Sequence, residues 1–522
     1  MSPACRLVSA AGLLPALVLP AASADWPTWG RDATRNAVSP EAGAPHDFRF
    51  PVPAADGRPA TVGHGVAWAA ELGSRTIGTP AVANGLVWIG TNTRPPADES
   101  IPSSAWDAGV LRCFREKDGA FVWSRRSPRL TAGYPQDLWG GALGSAPLVE
   151  GDRLWYVTNR CEVVCLDVAP LRAGKGEPRD VWTLDMRAKL GVYPHIPVMQ
   201  GGGGAAVAGL GDRLYVVTHN GVDEGVFNIP APDAPSLVCL EKATGRVVWT
   251  DKSPGKNIMR CQLSSPAVVT VGGRSQVVVG QGDGWLRGFD PNTGRVLWAC
   301  DLNLKGAEFN FGGLDSKNYV VATPVVYAGR VYIATGQDPE AGSGDGGLYC
   351  VDPTKTGDVS RELADGPKKG RPNPNSAVVW YTPKAVPDSA PRIEVGKKKK
   401  LDLLRESRDF YFGRTIAGVV AHDGLVYAAD FSGFVFCFDA ATGRCHWVDD
   451  LKVSVWGQPL WADGKVYFGN DNAEVVVYAH GRERRRLATI ESPYGIRAGL
   501  VFANGTLYVP TESTLYAIRG GK

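Results

Sequence analysis

Between Thr415 and Val448 the chain reads TIAGVVAHDGLVYAADFSGFVFCFDAATGRCHWV, four short apolar runs separated by turn residues. The runs are Ile416–Ala421, Leu425–Ala429, Phe434–Phe438 and Arg444–Val448. His422-Asp423-Gly424, Asp430–Gly433 and Asp439–Gly443 divide them. Runs rich in β-branched and aromatic residues between Gly, Asp and Ser turns read as strands joined by hairpins. One such four-stranded sheet cannot bury both of its faces, so it needs copies of itself stacked against it.

The copies are present. The third turn and its Trp recur as LEKATGRVVW from Leu240 and FDPNTGRVLW from Phe289, and more loosely as FREKDGAFVW from Phe114. The first hairpin recurs more widely, from Thr79, Ser145, Ala206, Ser265, Thr323, Thr415, Gln458 and Gly499, which makes eight units. Where no insertion intervenes, the second-strand tyrosine steps from Tyr427 to Tyr467 to Tyr508. Four strands repeated at a period near forty indicate an all-β chain folded as an eight-bladed β-propeller of four-stranded antiparallel blades.

The last unit stops after the strand Thr514–Arg519 and lacks its Trp-bearing strand. A spare one, Gly65–Leu72 with Trp68, precedes the first unit, so the N-terminal strand is expected to pair into the C-terminal blade and remove two exposed edges. The domain reading is a signal peptide over 1–24, a lead-in and linker over 25–64, and one propeller over 65–522. Within the lead-in, Asp25–Asn36 (DWPTWGRDATRN) is expected to pack on the outside of the ring, and 40–64, rich in Pro, Ala and Gly, to be a loosely ordered link.

Leu7–Leu19 is apolar but broken by Gly12 and Pro15, too short to span a bilayer, and Ala22-Ser23-Ala24 is a small-residue cleavage site before Asp25. The mature chain is therefore expected to be exported, periplasmic or secreted, and a monomer without a transmembrane segment. Lys+Arg at 56 against Asp+Glu at 53 leaves no basic footprint for nucleic acid. The run Lys397–Lys400 reads as a solvated loop. Cys113, Cys165, Cys239, Cys350 and Cys437 occupy one position in five third strands. Equivalent positions in different blades lie beyond disulfide reach, so these cysteines are read as small buried hydrophobes.

The repeated residues are assigned to structure, because a catalytic group is rarely needed in every blade. Gly245, Gly294 and Gly443 supply positive φ in tight turns. Asp290 with Thr293, and Asp439 with Thr442, hydrogen-bond the turn backbone. Trp249, Trp298 and Trp447 wedge between neighbouring sheets. Function is sought instead in the long second-to-third turns and inter-blade links, which open on one rim. That rim offers His195, Asn220, Asp223, Glu224, Asp338, Glu340 and Arg414 as a ligand-binding set. Its carboxylates among glycines could hold Ca²⁺, although their spacing matches no calcium loop. No Ser/His/Asp arrangement, phosphate loop or C-x-x-C-H motif is assigned, and the catalytic residues are left open.

The turn-and-Trp motifs resemble the repeat of the pyrroloquinoline quinone (PQQ) dehydrogenases and of the outer-membrane-assembly propeller lipoprotein. Closer still is a set of exported PQQ-like propeller proteins abundant in planctomycete-type bacteria. The stretches DWPTWGRDATRN, RCEVVCLD, GVDEGVFNIPAPDAPS, GDGWLRGFDPNTG, GQDPEAGSGDGGLYCVDPTKTGDVS and FGRTIAGVVAHDGLVYAADFSGF carry that resemblance. It implies either a non-catalytic rim that binds a protein, glycan or small molecule, or a PQQ- and Ca²⁺-dependent alcohol or sugar oxidoreductase. Such dehydrogenases pair adjacent cysteines over the quinone, and this chain holds no Cys-Cys dipeptide, which favours the binding role.

Overall fold

The computed structural model describes residues 24–51, 63–93, 108–130, 142–195, 206–303, 306–310, 316–337, 344–363, 370–391, 393–395, 399–401 and 408–520. The expected signal segment before Ala24 lies outside the described residues, as do Asp338, Glu340 and all of 52–62 in the expected linker. No described helix is long and apolar enough to cross a membrane.

Eight sheets follow one another in the order the repeat predicts. Blade 6 is typical: Val420–His422, Leu425–Ala429, Phe434–Asp439 and Cys445–Asp450 pair antiparallel in sequence order. Blade 8 is closed by the strand Val66–Glu71, with Trp68 opposite Ala517 and Glu71 opposite Thr514. The short first strands stand side by side around the axis and form the inner wall. The second-to-third turns and inter-blade links open on the rim, while the first-to-second and third-to-fourth turns form the opposite, tight-turn face.

One bulge recurs in the fourth strand and sets the Trp across from the small residue that repeats in the third. Trp123, Trp182, Trp249, Trp380 and Trp447 pair with Cys113, Cys165, Cys239, Cys350 and Cys437. A thiol is small enough to leave room for an indole lying over the sheet. All nine described cysteines are free and buried, Cys437 and Cys445 included.

The indoles dock forward, each on the next blade. Trp249 Nε1 donates to Pro291 O at 2.9 Å, Trp380 to Ala440 O at 2.9 Å, Trp447 to Gly481 O at 3.1 Å, and Trp68 to Glu116 O at 3.0 Å across the closure. The turn glycine lies under the ring. A Cβ on Gly443 would stand 2.6 Å from Trp380, and one on Gly294 2.6 Å from Trp249. Both glycines have φ near 70°, so the repeated Gly answers two constraints at once: a left-handed turn and an indole that leaves no space for a side chain. Asp290 and Asp439 accept from the backbone and hydroxyl of Thr293 and Thr442, as expected.

Blade 4 departs from this pattern. Val278 stands where blades 3, 5, 6, 7 and 8 carry Tyr215, Tyr332, Tyr427, Tyr467 and Tyr508, and Gly288 stands at the cysteine position. Trp298 folds back into the freed space and donates to Gln276 Oε1 of its own blade at 2.7 Å. The amide of Gln276 then reaches Pro353 O of blade 5, taking over the inter-blade contact. Trp298 is buried as expected, but the wedge between blades is completed by Gln276.

The lead-in does not pack on the outside of the ring. It runs around the inside of the channel, meeting the first strands in blade order. Trp26 pairs with Val82 of blade 1, and Val149 N of blade 2 donates to Pro27 O. Val268, Val326 and Trp461 donate to the carbonyls of Ala33, Thr34 and Ala37, and Asn36 makes two hydrogen bonds to the backbone of Ala421. Val38–Ser39 adds a parallel strand to blade 7, and Glu41 accepts from Asn504 N and Gly505 N of blade 8. Blade 3 is reached by Arg35, wholly buried, whose guanidinium donates to the carbonyls of Val207, Pro266 and Trp29. The physical reason is satisfaction of backbone groups. The inner edges of eight first strands expose N–H and C=O groups to the channel, and a closely fitting peptide pairs them where a loose exterior segment would leave them unpaired. The described part of the expected linker is likewise ordered by packing: Phe50 is buried against Tyr516, and Tyr467 Oη donates to Pro45 O.

Candidate functional site

The rim residues separate into two places. His195, Asn220, Asp223 and Glu224 gather beside blade 3, where Pro194 bridges to Asn220 and the His195 amide donates to His219 O. His195 and Asn220 are buried within the loop. His195 Nδ1 lies 2.9 Å from Val222 O, and Asn220 accepts from Tyr193 N and donates to Ala231 O. Asp223 ties its own turn, accepting from the amides of Phe227 and Asn228 and the side chain of Asn228; those bonds hold its pKa below the usual carboxylate value. Glu224 is exposed beside it. Arg414 belongs to a second cluster between blades 5 and 6, buried, with Nε 3.2 Å from Asn318 Oδ1.

Other charged groups at the rim are paired with each other. Asp283 meets Arg287 at 2.7 Å, Asp430 meets Arg408 at 2.7 Å, and Asp471 meets Arg497 at 2.6 Å. Each of these three carboxylates is thus neutralised by a guanidinium. Among the described residues no three His, Cys, Asp or Glu side chains converge as a metal-holding group. The donor set of the described residues does not fit a Ca²⁺-bound quinone.

Two rim features lay beyond sequence reasoning. His219 is buried beside His195 with neither ring nitrogen hydrogen-bonded, and burial lowers its pKa to about 4; His195, with Nε2 unpartnered, is lowered to about 3. Sequence reasoning singled out His195 but not His219, which follows no motif. Second, a polar cleft of about 300 Å³ opens between blades 4 and 5, lined by Asn303, Asn318, Tyr349 and Asp345 with Lys384 at its edge. Burial pushes Asp345 up to about 6, and its Oδ1 has no hydrogen-bond partner. A carboxyl with such a pKa can exchange a proton near neutrality.

A groove of about 990 Å³ opens on the tight-turn face between blades 3, 4 and 5. Its sequence signal is the stretch Thr270–Ser275, which lengthens one hairpin only. The first strand of blade 4 runs over Ala267–Val271, five residues, against three in each of the other seven blades.

Residues 107–384 and 373–521 match the model of a family described as outer membrane protein assembly factor BamB. Among solved structures, the chain is similar to BamB from Moraxella catarrhalis, at 13% identity over 79% of this chain and 91% of that one, with a TM-score of 0.46. It is similar to quinohemoprotein alcohol dehydrogenase from Comamonas testosteroni, at 14% identity over 96% and 81%, TM-score 0.48. It is also similar to Sqt1 from Saccharomyces cerevisiae, at 9% identity over 88% and 96%, TM-score 0.49. None of the curated proteins matches.

Proposed function

This chain belongs to the family described as outer membrane protein assembly factor BamB, a PQQ-like β-propeller, and we propose that it is an exported, non-catalytic scaffold whose exposed loops and grooves hold a protein partner. The observation that carries this reading is the occupied centre of the ring. Residues 26–39 fill the axis on the tight-turn side with buried Trp26, Trp29 and Arg35. On the rim side Met259, Tyr319, Ile416 and Phe431 pack together. With the inner strand edges already paired by residues 26–39, the described surface left for recognition lies on outer turns and loops, which vary without unfolding the core. The Ala22-Ser23-Ala24 site supports export, and the exposed Asp223–Glu224 loop supports a polar docking point on the rim.

The test is a titration of the purified protein with PQQ and Ca²⁺, followed by desalting and a dye-reduction assay with ethanol and glucose. The scaffold reading expects no retained quinone absorbance and no dye reduction. Quinone-dependent turnover would overturn it in favour of a PQQ- and Ca²⁺-dependent oxidoreductase.

A further inference from the structure

The hairpin of blade 4 packs into the core through Val269 and Val278, but its lengthened end does not. Its arms, Ala267–Val271 and Arg274–Gly280, carry the turn Gly272-Gly273 beyond the neighbouring turns by two residues per arm, roughly 7 Å at strand rise. A Cβ on either glycine would meet nothing within 4 Å, so the tip stands free. The hairpin thereby becomes one wall of the 990 Å³ groove. The turn of blade 3 around Asp212 and the loop Pro353–Thr356 of blade 5 form the others.

The groove is asymmetric in charge. Its acidic groups are already used: Asp212 pairs with Arg213 at 2.9 Å, and Asp290 is bound by its own turn. Of its four cations only Arg213 is paired with a carboxylate. Among the described residues, Arg274 and Arg295 are exposed without a carboxylate within ion-pair distance, and Lys355 donates to the carbonyl of Ser376. Between these three, Leu210, Val271 and Leu297 are half-buried and present apolar surface.

We propose that this groove binds an extended acidic segment of a partner protein, in which carboxylates alternate with apolar side chains. Guanidinium forks match carboxylates in bidentate geometry. The apolar side chains of the segment would cover Leu210, Val271 and Leu297, which an anionic polysaccharide would leave wet. This assignment rests on the scaffold reading but moves recognition to the face opposite the rim.

The test uses the full-length protein and a fluorescein-labelled octapeptide, Glu-Leu-Glu-Val-Glu-Leu-Asp-Phe, read by anisotropy in low and moderate salt. Saturable binding is expected, weakened at least tenfold by Arg274→Glu with Arg295→Glu, and unchanged by Lys189→Glu, an exposed cation outside the groove. Both arginines are exposed, so an unaltered Tm is expected for the double variant; Lys355→Gln serves as a second probe and should weaken binding several-fold. Equal binding of the Gln/Asn version of the peptide would overturn the proposal. So would insensitivity to the arginine variants, or binding of polygalacturonate but not peptide. A failure of the groove leaves the quinone test untouched, so the two readings fall separately.

Discussion

Arg35 donates from Nη2 to the carbonyl oxygen of Val207 at 2.8 Å, across 172 residues of sequence. That contact joins a segment before the first blade to the residue just ahead of the first strand of blade 3, and the same guanidinium holds Pro266 O just ahead of the first strand of blade 4. Burial lowers the pKa of Arg35 to about 10, which leaves it charged at neutral pH. Its removal strands several buried carbonyls at about 1–3 kcal/mol each. Arg35→Met is therefore expected to cost on the order of 3 kcal/mol, and deletion of 25–39 to cost more. Denaturant midpoints check this; an unchanged midpoint for the deletion would show that the channel segment does not support the ring.

The turn glycines separate two costs. Gly443 and Gly464 both have positive φ, 71° and 68°, but only Gly443 faces an indole. Gly464→Ala is expected to lose about 1–2 kcal/mol from backbone conformation alone. Gly443→Ala adds displacement of Trp380 and should lose clearly more. Equal thermal shifts for the two variants would remove the indole from the explanation.

Trp447→Ala is expected to destabilise by about 3–5 kcal/mol, as for other large-to-small aromatic changes in cores. The indole is buried between Tyr427 and Tyr478 and donates to Gly481 O of blade 7. Chemical denaturation measures the loss; a shift like that of a surface substitution would contradict the docking.

His195 and His219 make the fold sensitive to acid. Their folded pKa values, about 3 and about 4, lie below the unfolded value near 6.5. Between those limits the unfolded chain binds protons that the fold excludes, so stability rises with pH and is lost as pH falls below ~6.5, by up to ~1.4 kcal/mol per unit for each ring. Asp345, raised to about 6, acts in the opposite sense between ~4 and 6, so the informative comparison is between variants. His219→Asn, which tolerates the φ of 59° at this position, should show a shallower fall in midpoint from pH 6.5 to 4.5 than the wild type. Parallel pH profiles would refute the assignment.

Most of the fold was legible because a propeller repeats its local chemistry. Turn, Trp and strand alternation at a period near forty determined eight four-stranded blades, and the missing strand after Thr514 determined that Trp68 must supply it, as the pairing of Val66–Glu71 with Thr514–Ile518 shows. The candidate site was legible only as a choice of face. Sequence reasoning placed Asp223 and Glu224 on an exposed rim loop, yet it gave no sign that His195, Asn220 and Arg414 would be buried or that Arg35 would sit at the heart of the ring. Hairpins are written in neighbours, so their pattern survives in one dimension. The path of Trp26–Ser39 around the channel, the inward turn of Trp298 over Gly288 and the groove beside Arg274 depend on which backbone edges and volumes remain unfilled once eight sheets have closed. Those vacancies exist only in the assembled ring, and there the tertiary structure alone decided.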